Sequence, residues 1–147
     1  MSEGTEASSM STGPLAGIRV LDLSRFIAGP LCAQILADMG AEVIKVERPA
    51  GEDARHHAPF LNGESVYVML YSRNKYGVTL NTRDRRGLGL LDKLIARSDV
   101  VVENFRPGTM AAMGFPWGKL HEKHPRLIFT SISGTKSCTR QPNVSPR

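Results

Sequence analysis

Between Ile18 and Glu47 the chain passes from a short β-branched apolar run, through an amphipathic run, to a second β-branched run. That order constrains the fold more than any other feature. Ile18-Arg19-Val20-Leu21-Asp22-Leu23, bounded by Gly17 and Ser24, predicts a strand. Gly29-Pro30 opens a helix, with proline in the first turn, where its missing N–H costs nothing. Leu31, Ile35, Leu36 and Met39 fall on one helical face, which is expected to face the core, and Gly40 is the stop signal. Ala41 to Glu47 (AEVIKVE) predicts the second strand. A crossover helix joining two such strands makes them parallel neighbours.

The alternation continues. Residues 49–64 hold Pro49, Gly51, Pro59, Asn62 and Gly63 and read as a long loop, with a short helix over Ser65 to Leu70. Gly77 to Asn81 predicts a third strand, and the Leu88, Leu91, Leu94 and Ile95 stripe a helix ending near Ser98. Asp99 to Glu103 is apolar enough for a strand covered on both faces. Helical turns are expected near Thr109–Met113 and Lys119–Glu122, and a fifth strand over Arg126 to Ile132. The whole predicts an α/β fold, a doubly wound and mainly parallel sheet. Residues 1–13 are expected to form a disordered leader, residues 14–134 the folded part, and residues 135–147 a polar tail unrelated to the fold before it.

Composition narrows the function. The 147 residues are 41% hydrophobic and 22% charged, as in ordinary globular chains. No run approaches the roughly 18 apolar residues of a membrane span, so no membrane partner is expected. The first residues lack the basic character of a secretory or transit signal, and Cys32 and Cys138 are too few for a disulfide framework. A cytoplasmic location is the default. Of a net charge of +5, the stretch from Arg73 to Arg97 carries seven basic residues against Asp84 and Asp92. Such a cluster fits either a solvated helix face or a phosphorylated ligand. Aromatic interleaving and nucleic-acid motifs are missing, so nucleic acid is not expected.

Individual motifs are weak. The turn after the first strand, Ser24 to Pro30, is no G-x-G-x-x-G, and no Walker A sequence occurs. His121-Glu122-Lys123-His124 has its histidines three apart, not the four of a zincin, and reads as an exposed helix face. His56-His57 reads as a loop pair, at most at a ligand rim, and Cys32 as a buried structural cysteine. No metal site is expected. Asp22 and Glu47 end strands on the side where α/β ligands bind, a position equally natural for capping acids.

Four segments carry more together than apart. They are Leu21 to Arg25 with Ala28-Gly29-Pro30; Gly40 to Pro49; Arg73-Asn74-Lys75; and Val101 to Gly108. In this order they resemble the N-terminal part of the family III coenzyme A transferases, and Met113-Gly114-Phe115, Pro125 to Ile128 and Ser131 to Gly134 fit the same pattern. The resemblance implies a Rossmann-like domain that binds coenzyme A or acyl-CoA, and an enzyme that moves CoA between carboxylic acids. In that family an aspartate carboxylate attacks the acyl thioester to give a mixed anhydride. The CoA thiolate then returns to form an enzyme thioester, from which the acceptor acid takes CoA. The subunits form interlocked homodimers.

Carried onto this chain, the resemblance makes Arg48 a contact to the nucleotide end of CoA, where a guanidinium pairs with phosphate or stacks on adenine. Leu80 and Arg83 fall in the adenine and phosphate neighbourhood. Asn104 and Phe105 fall along the pantetheine and adenine, and Arg25 and Ala28 border the thiol end. Ala112 stands where many members carry an arginine. The family's catalytic aspartate lies beyond the Ser-Gly segment, and Asp84, Asp92 and Asp99 are not in its motif context, so no catalytic residue is assigned here. A chain lacking that nucleophile is expected to be inactive alone. Two other readings stay open. One is an α-methylacyl-CoA racemase-like protein, against which Asn74-Lys75 and the Asn104 to Gly108 run weigh. The other is a non-catalytic binding module, which a solution mass measurement would separate.

Overall fold

The computed structural model describes residues 12–134. The alternation read from the sequence becomes strand β1 (Arg19–Asp22), helix α1 (Ala28–Asp38) and strand β2 (Glu42–Glu47). A one-turn 3-10 helix (Asp53–His56) and a two-residue hairpin, β3 (Phe60–Leu61) and β4 (Glu64–Ser65), fill what reads in the sequence as an irregular loop. Helix α2 (Val66–Tyr71) leads to β5 (Lys75–Thr79), α3 (Arg85–Ile95) and β6 (Val100–Glu103). Then come α4 (Thr109–Ala112), α5 (Trp117–Lys123) and β7 (Ile128–Ser131).

Five strands form one sheet in the order β5-β2-β1-β6-β7, every neighbouring pair parallel. Strand β1 is central, and the chain winds to β2 on one side and to β6 on the other. Two apolar layers result. One packs α1 on the sheet through Val20, Ala33, Ala37, Val43 and Val102. The other gathers Leu21, Leu91, Ile95, Val101, Met110, Phe115, Leu120 and Leu127. Each fully buried aliphatic side chain here is worth about 1.5–3 kcal/mol over its exposed state. The doubly wound α/β fold predicted from the alternation is therefore the observed one.

Two expectations need correction. On α1 the expected core stripe faces outward: Leu31, Ile35 and Met39 are 40%, 52% and 40% exposed, and Leu36 is half-buried. The buried residues are Gly29, Pro30, Ala33, Gln34 and Ala37. The helix approaches so closely that small side chains are needed: a Cβ added at Gly29 would lie 2.5 Å from Ser24 Oγ. Strand β5 begins two residues earlier than predicted and ends at Thr79, although the Leu80 N–H still donates to the Glu47 carbonyl at 2.8 Å. Gly13, at φ +143°, lies against the Met39–Gly40 backbone, where a Cβ would overlap the Met39 carbonyl. The expected disorder of residues 1–11 and of the 135–147 tail lies outside the described residues.

Candidate functional site

An open cleft lies beyond the C-terminal ends of the parallel strands, where ligands bind in such sheets. Each wall comes from the segment after a different strand. Leu23, Ser24 and Arg25 follow β1; Val46, Glu47, Arg48 and Glu52 come from the end of β2 and its loop. Leu80 and Thr82 follow β5, Leu91 reaches in from α3, Phe105 follows β6 and Met113 follows α4. The floor is apolar, and two guanidinium-bearing residues, Arg25 and Arg48, sit among the walls.

Asn104 fixes the β1–α1 turn. Its Oδ1 accepts from the Arg25 N–H at 2.7 Å, and its Nδ2 donates to the Arg25 carbonyl at 2.8 Å. The next residue, Phe26, is held at φ +62°, an unfavourable region for a bulky side chain. The Arg25 guanidinium carbon lies 5.3 Å from the centre of the Phe105 ring, a cation–π contact across the cleft. The Phe105 N–H in turn donates to the buried Glu103 carboxylate at 2.7 Å.

The second loop is held by ion pairs. Arg48 Nε donates to the Gly51 carbonyl at 2.7 Å, and its terminal nitrogen pairs with Asp53. Glu47 accepts both arms of the Arg55 guanidinium at 2.7 Å, and those hydrogen bonds hold its carboxyl below the ordinary value despite partial burial. The His57 ring in this loop stands edge-on to Phe26 of the β1–α1 turn at 5.2 Å.

Of the residues assigned by resemblance, Arg25, Arg48, Leu80 and Phe105 line the cleft, and Asn104 braces it. Ala28 is exposed at the start of α1, and Arg83 is exposed before α3, its N–H bonded to Asn81 Oδ1 at 3.1 Å; neither is among the lining residues. The basic cluster between Arg73 and Arg97 is not one surface. Arg73 pairs with Asp38, and Lys75 is buried, its Nζ 2.8 Å from Asp22 Oδ2. Burial pulls the Lys75 ammonium below its ordinary value, opposed by the Asp22 charge. Cys32 is half-buried rather than buried, and burial raises its thiol above the ordinary value.

Sequence reasoning passed over Lys45 and Glu52. Lys45 is 2% exposed, and its Nζ stands 3.8 Å from Asp22 Oδ2 and 3.2 Å from Glu52 Oε2. A signal existed, because Asp22 and Lys45 are register partners in the β1–β2 pair, so two lone charges in apolar runs fall opposite each other. Among the described residues there is no group of three or more His, Cys, Asp or Glu placed to hold a metal ion, and no helix long and apolar enough to cross a membrane.

Comparison with known proteins agrees with this fold. The model of the family described as CoA-transferase family III matches residues 15–138. Formyl-CoA:oxalate CoA-transferase of Escherichia coli O6:H1 (strain CFT073) is 44% identical over 137 residues, covering 92% of this chain and 33% of that protein. The enzyme of the same name from Shigella boydii serotype 18 shows the same identity and coverage. The chain thus spans about a third of the length of the curated relatives it matches. Among solved structures, the hypothetical protein Rv3272 from Mycobacterium tuberculosis superimposes with a TM-score of 0.77 at 40% identity, over 84% of this chain and 34% of that one. A CAIB/BAIF family protein from Brucella suis gives 0.77 at 38%, over 83% and 34%. With a family match running through nearly every described element, the chain belongs to CoA-transferase family III.

Proposed function

We propose that this chain forms the coenzyme A-binding part of an acyl-CoA:carboxylate CoA-transferase, with formyl-CoA and oxalate as the substrate pair to test first. The substrate pair rests on the 44% identical relatives named formyl-CoA:oxalate CoA-transferase. One observation carries the site: Arg25, Arg48, Leu80 and Phe105, distant in sequence, meet in a single cleft at the strand ends. The Arg48 guanidinium suits the phosphates of CoA, Arg25 stands toward the thiol end as the resemblance implies, and a floor of Leu23, Val46, Leu80, Leu91 and Met113 suits the less polar parts.

The acids near this cleft are already committed. Asp22 is fully buried between two lysines, Glu47 is held by Arg55, and Glu52 stands against Lys45. A carboxylate that must attack a thioester needs to be free and exposed to the acyl carbon. The reading therefore assigns the nucleophile to none of them, and predicts CoA binding without turnover for this chain alone. Calorimetric titration with CoA tests the first half. Binding should weaken as salt rises and fall at least tenfold in Arg48→Ala; affinity indifferent to both would reject the assignment. Incubation with formyl-CoA and oxalate tests the second half, where heat-labile turnover would show that a nucleophile is present.

A further inference from the structure

Lys45 sits where a strand core should hold an aliphatic residue, between Ile44 and Val46 and 2% exposed. Its ammonium reaches in two directions. It donates to the Ser24 carbonyl in the β1–α1 turn, and it stands 3.2 Å from Glu52 Oε2 in the loop after β2. The first of these loops carries Arg25 and the second carries Arg48. Behind Lys45, Asp22 accepts from the Ser24 N–H at 3.0 Å and from Lys75 Nζ at 2.8 Å, and Lys75 also donates to the Pro30 carbonyl at 2.8 Å. Two lysines and two acids, all nearly sealed from solvent, thus cancel in charge beneath the cleft.

Burying four charges is expensive where an apolar core would serve as well or better. Their placement has a consequence an apolar core would lack. The turn side is fixed by several hydrogen bonds, whereas Glu52 Oε2 accepts none and is tied to Lys45 by charge alone. The two loops also meet through the edge-on Phe26–His57 ring pair. We propose that Lys45 is a positioning residue: through Ser24 on one side and Glu52 on the other it sets the distance between the Arg25 and Arg48 loops, and so the spacing of the two guanidinium groups that a phosphorylated ligand meets. This rests on the reading of the cleft as a CoA site.

The test uses the full chain, CoA titration and thermal melting. Glu52→Gln keeps the side chain's shape and removes the tie. Removing a negative charge from a cleft that binds an anion would by itself tighten binding, so a weakening isolates geometry as the cause. Affinity for CoA is expected to fall about fivefold or more in Glu52→Gln, with a flatter salt dependence as the two arginines no longer engage together. Lys45→Met should melt early, because it strands buried acids. Lys45→Met combined with Glu52→Gln should recover the melting temperature without recovering affinity. CoA binding in Glu52→Gln that is unchanged or tighter overturns the proposal, as does a folded double variant that binds like the parent chain. Should the double variant fail to fold, Glu52→Gln decides alone. Absence of CoA binding in the unmodified chain would instead reject the CoA reading itself.

Discussion

Replacing Asn104 by alanine removes a clamp whose strength follows from its geometry. The side chain makes two hydrogen bonds, 2.7 and 2.8 Å long, to the N–H and carbonyl of Arg25, 79 residues away in sequence. Each bond of this kind contributes about 0.5–1.5 kcal/mol net. Both Arg25 groups are only partly buried, so water can replace the lost partner and the cost stays near the middle of that range. Asn104→Ala should therefore lose about 2 kcal/mol of stability. For a chain of this size that is a fall of roughly 4–10 °C in melting temperature. Asn104→Asp sharpens the test. It keeps the acceptor for the Arg25 N–H but turns a second oxygen toward the Arg25 carbonyl, exchanging an attraction for a repulsion. It should be no more stable than Asn104→Ala. Thermal unfolding followed by circular dichroism measures both. A melting temperature within about 1 °C of the parent for either variant would refute the clamp.

Other outcomes follow from single contacts. Asp53→Asn releases Arg48 from its acidic partner, so CoA affinity measured by calorimetry should rise; a fall would show that Asp53 orients the guanidinium rather than competing for it. Glu47 is held below its ordinary carboxyl value of 4.5 by Arg55, so the pair's contribution is complete above that value and is lost as pH falls through the lower, folded one. As pH falls from neutral through that lower value the parent should thus lose more stability than Glu47→Gln in urea titrations, and equal losses would refute the assignment. Gly87→Ala would drive a methyl group into the Asn81 carbonyl at the turn after β5, costing about 1–3 kcal/mol and disturbing the Leu80 wall; an unchanged melting curve would show that the turn yields freely.

The alternation of strands and helices was legible because period and punctuation agreed. The Val101-Val102 run flanked by acids could hardly be anything but a covered strand, and it became the buried β6. The α1 face was not legible. Periodicity picks out the largest aliphatics, while close approach selects the smallest, and at Gly29, Ala33 and Ala37 approach won. The site divided along similar lines. Arg48 and Phe105 were recoverable because their surrounding motifs resemble a known family. Lys45 and Glu52 were not, because their role depends on a pairing between strands and a loop that no local window contains. Lys75 was misleading for the same reason: a lysine in a basic stretch looks solvated until its ammonium proves to reach Asp22, two strands away in the sheet and of opposite charge.

The placement of β1 at the centre of the sheet, with its two apolar layers beneath and every wall of the cleft hung on a strand end, separates two design problems. Val20, Leu21, Val43 and Val101 belong to the buried core, whereas Arg25, Arg48 and Thr82 line the opening and are at most half-buried. Evolution can therefore redraw the opening, residue by residue, while the scaffold that bears it stays as it is.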